Sequence, residues 1–408
     1  MDVLVADVIG AVALVLLVSS VFGAAARRLG QPAVIGQLIA GILLGPTLLG
    51  QLPGHLTSRL FPAPVLPYLT VIAQIAVVIF MFVVGYELDL ASLQGRRRAV
   101  PFIAMAALVV PMALGAGSVL AFRSSYAGLG HQHTGLPLVL FLGVAVSITA
   151  LPVLAAIVSE RGMTRTVAGV TATAAAGVMD AAAWLVLAVV LIGTVHQAGR
   201  PWPVVLLLFG CFVVVMLAIV RPALRWWLSC GRGPRPSPVV LALVLALGAA
   251  WVTATLGLHP VFGAFLAGLT MPRPGGDPDP AVLTPLRQIG ALLLPLFFVV
   301  TGLSLNVGSL TGTAVGVLVL ICAIAIVGKV APGYLAARAG GLGTGDSATV
   351  AVLVNTRGLT ELIALNVGRT DGLIGPELFT VLVIMAVVTT LATVPLLTLL
   401  RRRGIGEA

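Results

Sequence analysis

Apolar runs of about twenty residues recur along the whole chain and are separated by short polar segments. A helix of this length crosses the hydrocarbon core of a bilayer, so the pattern predicts an all-α polytopic membrane protein. Several runs are interrupted by proline or glycine. The pattern predicts thirteen spans, near 7–26, 33–49, 67–88, 99–122, 136–159, 164–195, 203–228, 237–257, 260–272, 289–306, 311–337, 347–368 and 377–400.

The distribution of basic residues predicts the orientation of these spans. With the N-terminus outside, seventeen of the 23 basic residues fall on the cytoplasmic side and four on the outer side. An even number of spans would lose this asymmetry, so we expect thirteen spans with the N-terminus out and the C-terminus in. The net charge of +10 then reflects topology rather than nucleic-acid binding. We expect a multi-pass protein of a bacterial-type inner (plasma) membrane.

The two ends of the chain carry no sign of further parts. Asp2 and Asp7 precede the first apolar run and Arg27 follows it, which is the reverse of the charge order in a cleavable signal peptide. The last span ends close to Arg401, a few residues before the final residue. We therefore expect a single membrane domain, 1–408, with no soluble regulatory domain.

An internal repeat links the two halves of the chain. Spans two and nine share a Pro, Gly, Ala-Gly, Pro arrangement, and spans three and ten end in similar Phe-Val-Val segments. The matching glycines are Gly36, Gly41 and Gly85 in the first copy and Gly263, Gly268 and Gly302 in the second. Each copy has six spans, so the single linker span 203–228 inverts the second copy. Inverted repeats are typical of secondary transporters.

Helix-breaking residues occur at corresponding positions of the two copies. Span five contains Ser147, Thr149 and Pro152, and span twelve contains Asn355 and Gly358. Proline removes a backbone donor and glycine weakens a helix, so both spans are candidates for unwinding near mid-depth. The alternative for each is an ordinary kink, but the pairing favours two broken helices at a substrate site.

Asp180 lies near the centre of span six among alanines. A lone carboxylate in an apolar helix is a functional candidate, because a proton and a cation can compete for its oxygens. The hydroxyls of Ser147 and Thr149 could complete an oxygen shell, which hard cations prefer. These three residues are the predicted ion- and proton-binding group, and the only metal expected is the transported alkali cation on Asp180. No cofactor is expected.

Lys329 is the only lysine of the chain and lies within an apolar span. Unlike arginine, lysine can lose its proton when it is buried. One interpretation is a side chain that snorkels to the interface, although Arg338 already marks that interface. The favoured interpretation is a charge partner of Asp180.

The remaining charged side chains are weaker candidates. Arg357 and Glu361 are spaced i, i+4 in span twelve and can pair with each other, so a structural role and a functional one remain open. Glu87 ends span three near Arg96–Arg98, where interfacial pairing is the favoured account. His131 and His133 could bind a metal only with further ligands.

These segments together resemble one transporter family. The chain resembles the monovalent cation:proton antiporter-2 family, including Kef-type transporters and plant cation/H exchangers. The resemblance covers nearly the whole chain and is most specific in four segments, 143–153, 294–303, 328–329 and 354–363. It implies a sodium/proton antiporter fold and a homodimer. Spans 1–3 and 8–10 would form a dimerisation part, and spans 4–6 and 11–13 a mobile core with crossing broken helices.

The resemblance also implies the roles of two residues and shows one departure. The family's essential aspartate falls on Asp180 and its buried lysine on Lys329. Family members usually carry Asn, Gln or Asp just before that aspartate, whereas this chain has Met179, which removes one polar group from the site. The large cytoplasmic sensing tails of many relatives are missing as well, so regulation through them is not expected.

The favoured function is exchange of Na+ or K+ for H+ by alternating access, with both ions competing at Asp180. The alternative is an ion-coupled carrier of an organic solute or natural product on the same fold, for which Met179 is the support. A passive channel fits the paired broken helices less well. An intramembrane enzyme is not favoured, because Asp180 has no second catalytic acid in a facing span.

Overall fold

The computed structural model describes residues 2–53, 56–88, 99–127, 129, 135–194, 201–229, 237–273 and 276–402. Within these residues every regular element is a helix, which confirms the all-α prediction. In chain order the helices are α1 (Asp2–Arg28), α2 (Ala33–Leu44), α3 (Leu56–Leu60), α4 (Leu66–Glu87), α5 (Ala99–Ala121), α6 (Arg123–Ala127), α7 (Leu136–Ser147), α8 (Leu151–Glu160), α9 (Val167–Thr194), α10 (Trp202–Val215), α11 (Arg221–Ser229), α12 (Pro238–Thr255), α13 (Pro260–Thr270), α14 (Pro280–Leu303), α15 (Gly312–Ala339), α16 (Thr344–Val354), α17 (Leu359–Thr370) and α18 (Pro376–Arg402). A π-helical turn, Met216–Val220, joins α10 to α11.

In the described part of the chain, twelve helical segments are long and apolar enough to cross a membrane. They coincide with all the predicted spans except the ninth. That span is α13, which has 11 residues and is about 16 Å long at 1.5 Å per residue. It covers only about half of the hydrocarbon thickness and is therefore too short to cross the membrane as a single helix.

The tenth span begins earlier than its polar residues suggested. α14 starts at Pro280 rather than near 289, because Asp279 Oδ1 accepts a 2.8 Å hydrogen bond from the backbone N–H of Ala281 and caps the helix there. Arg287 lies inside the helix and does not interrupt it.

Two predicted spans are broken near their middles. Span five consists of α7 and α8, separated by Ile148–Ala150, and span twelve consists of α16 and α17, separated by Asn355–Gly358. Pro152 is in the first turn of α8, where its missing N–H has no intrahelical acceptor in any case. The prediction of two broken helices is thus confirmed.

The matched glycines make equivalent contacts in the two copies of the repeat. A Cβ at Gly36 of α2 would lie 2.1 Å from the carbonyl oxygen of Phe22 in α1. A Cβ at Gly263 of α13 would lie 2.0 Å from the carbonyl oxygen of Ala249 in α12. Both distances are far below van der Waals contact, so in each copy the second span meets the first through a glycine that no other residue can replace without a shift.

The second span of each copy also packs closely on the third span of the other copy. Gly268 of α13 lies against Phe82 and Gly85 of α4, with an added Cβ only 2.1 Å from the Phe82 carbonyl oxygen. Gly302 of α14 lies against Gly41 of α2, where an added Cβ would come within 2.5 Å of the Gly41 carbonyl carbon. The sequence match between the copies is therefore matched by equivalent packing.

The chain forms two compact units. The first comprises Met1–Leu17, Thr57–Asp89 and Leu191–Val300, and in it α13 packs against α4 and α12.

The second unit comprises Val18–Leu56, Leu90–Val190 and Thr301–Ala408. In it α15 packs against α5, α16 and α18, and α5 packs against α7. Both broken helices lie in this unit, as does the part of α9 that carries Asp180.

Candidate functional site

The two breaks are joined by backbone and side-chain hydrogen bonds. The N–H of Ala150 donates to the carbonyl of Thr356 at 3.1 Å, and Thr149 Oγ1 donates to the carbonyl of Val354 at 3.1 Å. The first bond satisfies a carbonyl within the second break, and the second bond satisfies the last carbonyl of α16, which has no intrahelical donor. The unwound segments of the two spans therefore cross in direct contact.

Gly358 lies where the second break meets α8. A Cβ at this position would come 2.6 Å from Val153 Cγ2, and the backbone φ of 158° is rare for residues with a side chain. Glycine is thus required here both by the close approach and by the backbone conformation.

Two buried cations bind the carbonyl end of the half-helix α7. The guanidinium of Arg357 donates to the carbonyls of Ala145, at 3.3 Å, and Val146. The ammonium of Lys329 donates to the carbonyl of Ile148 at 2.6 Å. Helix C-termini carry a partial negative charge and unpaired carbonyls, so the two cations replace the missing turn of helix.

The same guanidinium pairs with a buried acid at the start of α17. Arg357 Nη1 lies 3.0 Å from Glu361 Oε1, and neither side chain is exposed to solvent. This is the i, i+4 pair that the spacing predicted, and its acid lies in the first turn of a half-helix, where a negative charge is favoured. Arg357 thus connects the end of α7 to the beginning of α17.

Thr390 of α18 fixes the backbone of the second break. Its Oγ1 donates to the Arg357 carbonyl at 2.8 Å and accepts from the Arg357 N–H at 3.2 Å. The N–H and the carbonyl of Arg357 lie outside any helix, and both are therefore hydrogen-bonded, as buried backbone groups must be.

Asp180 is buried in α9 and is 2% exposed. In the described part of the protein no hydrogen bond of ordinary geometry reaches either of its carboxyl oxygens. The side chains of Trp184 and Thr360 lie close enough for weak hydrogen bonds to the carboxyl group, and Lys329 is near enough to interact with it electrostatically. Buried carboxylate oxygens without strong hydrogen bonds are costly, and this carboxyl group is accordingly suited to bind a cation or a proton.

Lys329 is fully buried in α15 and does not form an ion pair with Asp180. Besides Ile148, its ammonium donates to Thr149 Oγ1. The structure therefore places the amino group of Lys329 at the break of the first broken helix rather than in an ion pair with Asp180. The snorkelling alternative does not describe a side chain with no exposure.

The predicted hydroxyl and amide groups occupy different positions. Ser147 Oγ donates to the carbonyl of Val144 in its own helix at 2.8 Å, whereas Thr149 Oγ1 lies 3.9 Å from Met179 Sδ, next to Asp180 in sequence. Asn355 is fully buried, and both atoms of its amide lack a hydrogen bond within the described residues. Of the two predicted hydroxyl groups, that of Thr149 therefore lies at the crossing of the two broken helices.

Buried oxygen atoms without hydrogen bonds concentrate in and just after the second break. Within the described residues they include Asn355 Oδ1, Thr356 Oγ1, Thr360 Oγ1 and Glu361 Oε2. Such oxygens are the donors that hard monovalent cations prefer.

Glu87 does not join this group. Glu87 belongs to the first unit, where its Oε1 lies 2.7 Å from Arg287 Nε in an exposed ion pair. Arg96–Arg98, which were expected near it, lie outside the described residues, as do His131 and His133.

Three residues at the site were not predicted. Thr360 and Trp184 are near Asp180, and Thr390 holds Arg357. Trp184 follows Asp180 by one helical turn, so the i, i+4 rule could have found it. No local signal distinguishes Thr390 from the other threonines of its span.

The chain is similar to known membrane transporters. The sequence model for the transmembrane region of sodium/hydrogen exchangers matches residues 13–400. Cation/H+ antiporter 20 of Arabidopsis thaliana is 36% identical over 94% of this chain and 47% of its own length. A Na+/H+ antiporter of Synechocystis is 35% identical over 90% of this chain and 91% of its own length. The chain spans about half the length of the plant relative.

A solved structure shares the fold. The structure of a sodium proton antiporter from Methanocaldococcus jannaschii, at pH 8, covers 96% of this chain with a TM-score of 0.67 and 15% sequence identity. At this identity the similarity shows the fold alone. The predicted sodium/proton antiporter fold and the resemblance found in the sequence are both confirmed.

Proposed function

We propose, from the premise that the chain belongs to the sodium/hydrogen exchanger family, that it exchanges a monovalent cation, Na+ or K+, for H+ across a membrane. The observation that carries the proposal is Asp180, a buried carboxyl group whose two oxygens have no hydrogen bond of ordinary geometry within the described residues. It lies in the same unit as two broken helices that contact each other.

The coupling follows from competition at a single carboxyl group. A proton neutralises Asp180 and leaves nothing to attract a cation, whereas a bound cation offsets the negative charge and favours release of the proton. Thr149 and the unpaired oxygens of the second break supply further oxygen ligands. A carrier with one such site cannot hold both ions, so the movement of one is tied to the counter-movement of the other.

The crossed half-helices support alternating access. Cations hold the carbonyl end of α7, and Glu361 lies at the amino end of α17, so the unwound centre is electrostatically balanced without long continuous helices. We propose that spans 4–6 and 11–13 move as the core and carry Asp180 between the two sides of the membrane. In this proposal the spans predicted for dimerisation join two copies in a homodimer.

The protein is a multi-pass membrane protein of a transporter family. The relative from Synechocystis, a Na+/H+ antiporter, is covered over nearly its whole length by this chain. We propose that the protein lies in a bacterial-type inner (plasma) membrane, where a proton gradient can drive cation movement.

The test uses purified protein in liposomes with an internal pH dye. Na+, K+ and Li+ are added in turn to one side, and proton movement is followed for the wild type, Asp180→Asn and Asp7→Asn. Asp7 is an exposed carboxylate of α1 and serves as the matched control. We expect one or more cations to drive proton movement in the wild type and in Asp7→Asn but not in Asp180→Asn.

Coupled exchange by Asp180→Asn would remove Asp180 from the proposal. If folded wild-type protein responds to no alkali cation but an organic cation or natural product dissipates the proton gradient, the organic-solute carrier becomes the function. Met179, whose thioether lies against Thr149 in place of a polar group, is the structural observation that favours this second candidate.

A further inference from the structure

We infer that the ammonium group of Lys329 is a tethered competitor of the transported cation for the oxygen atoms of Ile148 and Thr149. The inference deepens the proposed function and rests on it, because it assigns those two oxygens to the cation path and gives Lys329 a role other than direct pairing with Asp180.

The first observation is where the ammonium group lies. Lys329 is fully buried, yet its nitrogen donates to the Ile148 carbonyl at 2.6 Å and to the Thr149 hydroxyl, both in the break of span five. It forms no ion pair with Asp180. The lysine therefore forms hydrogen bonds with a backbone oxygen and a hydroxyl oxygen, and none with the carboxyl oxygens of Asp180.

The second observation is the chemistry of the two oxygens. A backbone carbonyl and a hydroxyl are the ligands with which proteins replace the hydration shell of an alkali cation. A lysine ammonium is a compact point charge rather than a planar fork, so it occupies such oxygens in the manner of a monovalent ion. An arginine in its place would require a different set of acceptors.

The third observation is the hydrogen-bond direction at Thr149. Its hydroxyl accepts from Lys329 and donates to the Val354 carbonyl of the second broken helix at 3.1 Å. A cation that replaces the ammonium uses the same lone pair of Oγ1, and the hydroxyl proton still points to Val354. The exchange of one positive charge for the other therefore leaves the junction between the two breaks intact.

The consequence is that Lys329 weakens cation binding by occupying the oxygens the cation needs. A cation attracted to Asp180 gains Thr149 as a ligand only when the ammonium leaves it. Removal of the Thr149 oxygen should then cost little while lysine is present, since cation and competitor both lose a partner. Without the lysine, the same removal should cost the cation a full ligand.

A double-mutant cycle tests this coupling. Binding of Na+ and K+ to the purified full chain in detergent is measured by calorimetry for the wild type, Lys329→Met, Thr149→Val and the double variant. The measurement is made at the lowest pH at which the wild type binds the cation, which favours the protonated form of Lys329. Thr393→Val is the matched control, since Thr393 is fully buried and, within the described residues, its hydroxyl bonds only to Thr389 of its own helix. Thr149→Ser retains the oxygen, and thermal unfolding checks that each variant is folded.

We expect Lys329→Met to bind the cation about tenfold more tightly than the wild type. Thr149→Val should change the dissociation constant less than about twofold with Lys329 present and weaken binding about tenfold in the Lys329→Met background. Thr149→Ser and Thr393→Val should match their parents in both backgrounds.

Equal effects of Thr149→Val in the two backgrounds would overturn the inference and leave the proposed function standing, because binding would persist without the coupling. An unchanged dissociation constant in Lys329→Met would overturn it as well. Absence of any alkali-cation binding to folded wild-type protein would instead contradict the proposed function itself, and the inference with it.

Discussion

The backbone N–H of Ala150 donates a 3.1 Å hydrogen bond to the carbonyl of Thr356, and this bond joins the two broken helices at their unwound centres. Neither group has a partner within its own helix at that point, so each break satisfies the other. Because buried backbone polar groups must be paired, neither break can be stable alone. The crossing is accordingly one structural element made from two distant parts of the chain.

Thr390→Val should disturb the site, whereas Thr389→Val should not. Both threonines are fully buried in α18, but only Thr390 bonds to the backbone of Arg357, while Thr389 bonds to carbonyls of its own helix. Loss of a buried hydrogen bond costs about 1–3 kcal/mol when its partner is left unpaired. We expect a several-fold lower exchange rate in liposomes for Thr390→Val only. Equal exchange rates in the two variants would show that the hydrogen bonds between Thr390 and Arg357 are not needed for exchange.

Arg357→Gln should destabilise the protein more than the double variant Arg357→Gln, Glu361→Gln. The single change leaves the Glu361 carboxylate buried without its cation, which costs about 3–5 kcal/mol in comparable buried pairs. The double variant removes that uncompensated charge. Thermal unfolding in detergent, followed by tryptophan fluorescence, should give the order wild type, double variant, single variant. A single variant as stable as the double variant would mean that the buried Glu361 side chain does not need its ion pair with Arg357.

Gly263→Ala and Gly36→Ala should lower the unfolding temperature by similar amounts. In each case the new methyl group would lie about 2 Å from a carbonyl oxygen of the preceding span, so the helices must separate. Overpacking of this kind costs about 1–3 kcal/mol. Gly248→Ala is the control, because a Cβ there meets nothing within 4 Å in α12. We expect this control to be neutral or slightly stabilising, as alanine is the better helix former.

The apparent KM for the cation should rise as the pH falls, with little change in the maximal rate. In the proposed competition the proton occupies Asp180 and a sufficiently high cation concentration displaces it. Where the proton form dominates, the rise should approach about tenfold per pH unit for one proton per site. Initial rates in liposomes over a range of pH and cation concentration measure this. A maximal rate that falls with pH while KM stays constant would contradict competition at one group.

Sequence alone identified the helical elements and the principal charged residues, because both depend on local chemistry. Apolar runs predict spans, and a proline such as Pro152 or a glycine such as Gly358 weakens a helix wherever it occurs. A solitary Asp180 and a solitary Lys329 in apolar helices are conspicuous for the same reason. The i, i+4 pair of Arg357 and Glu361 also required only spacing, and the structure contains it.

Tertiary structure decided which groups these charges meet. Lys329 was expected to pair with Asp180, yet it donates to the carbonyl of Ile148, 181 positions away in the chain. Every residue has a carbonyl, so no sequence pattern indicates which one lies at the open end of a half-helix and accepts a distant cation. Thr390 is equally unmarked in the sequence, and only the packing of α18 places it against Arg357. The sequence therefore determined the charged groups of the site, and the three-dimensional packing determined their partners.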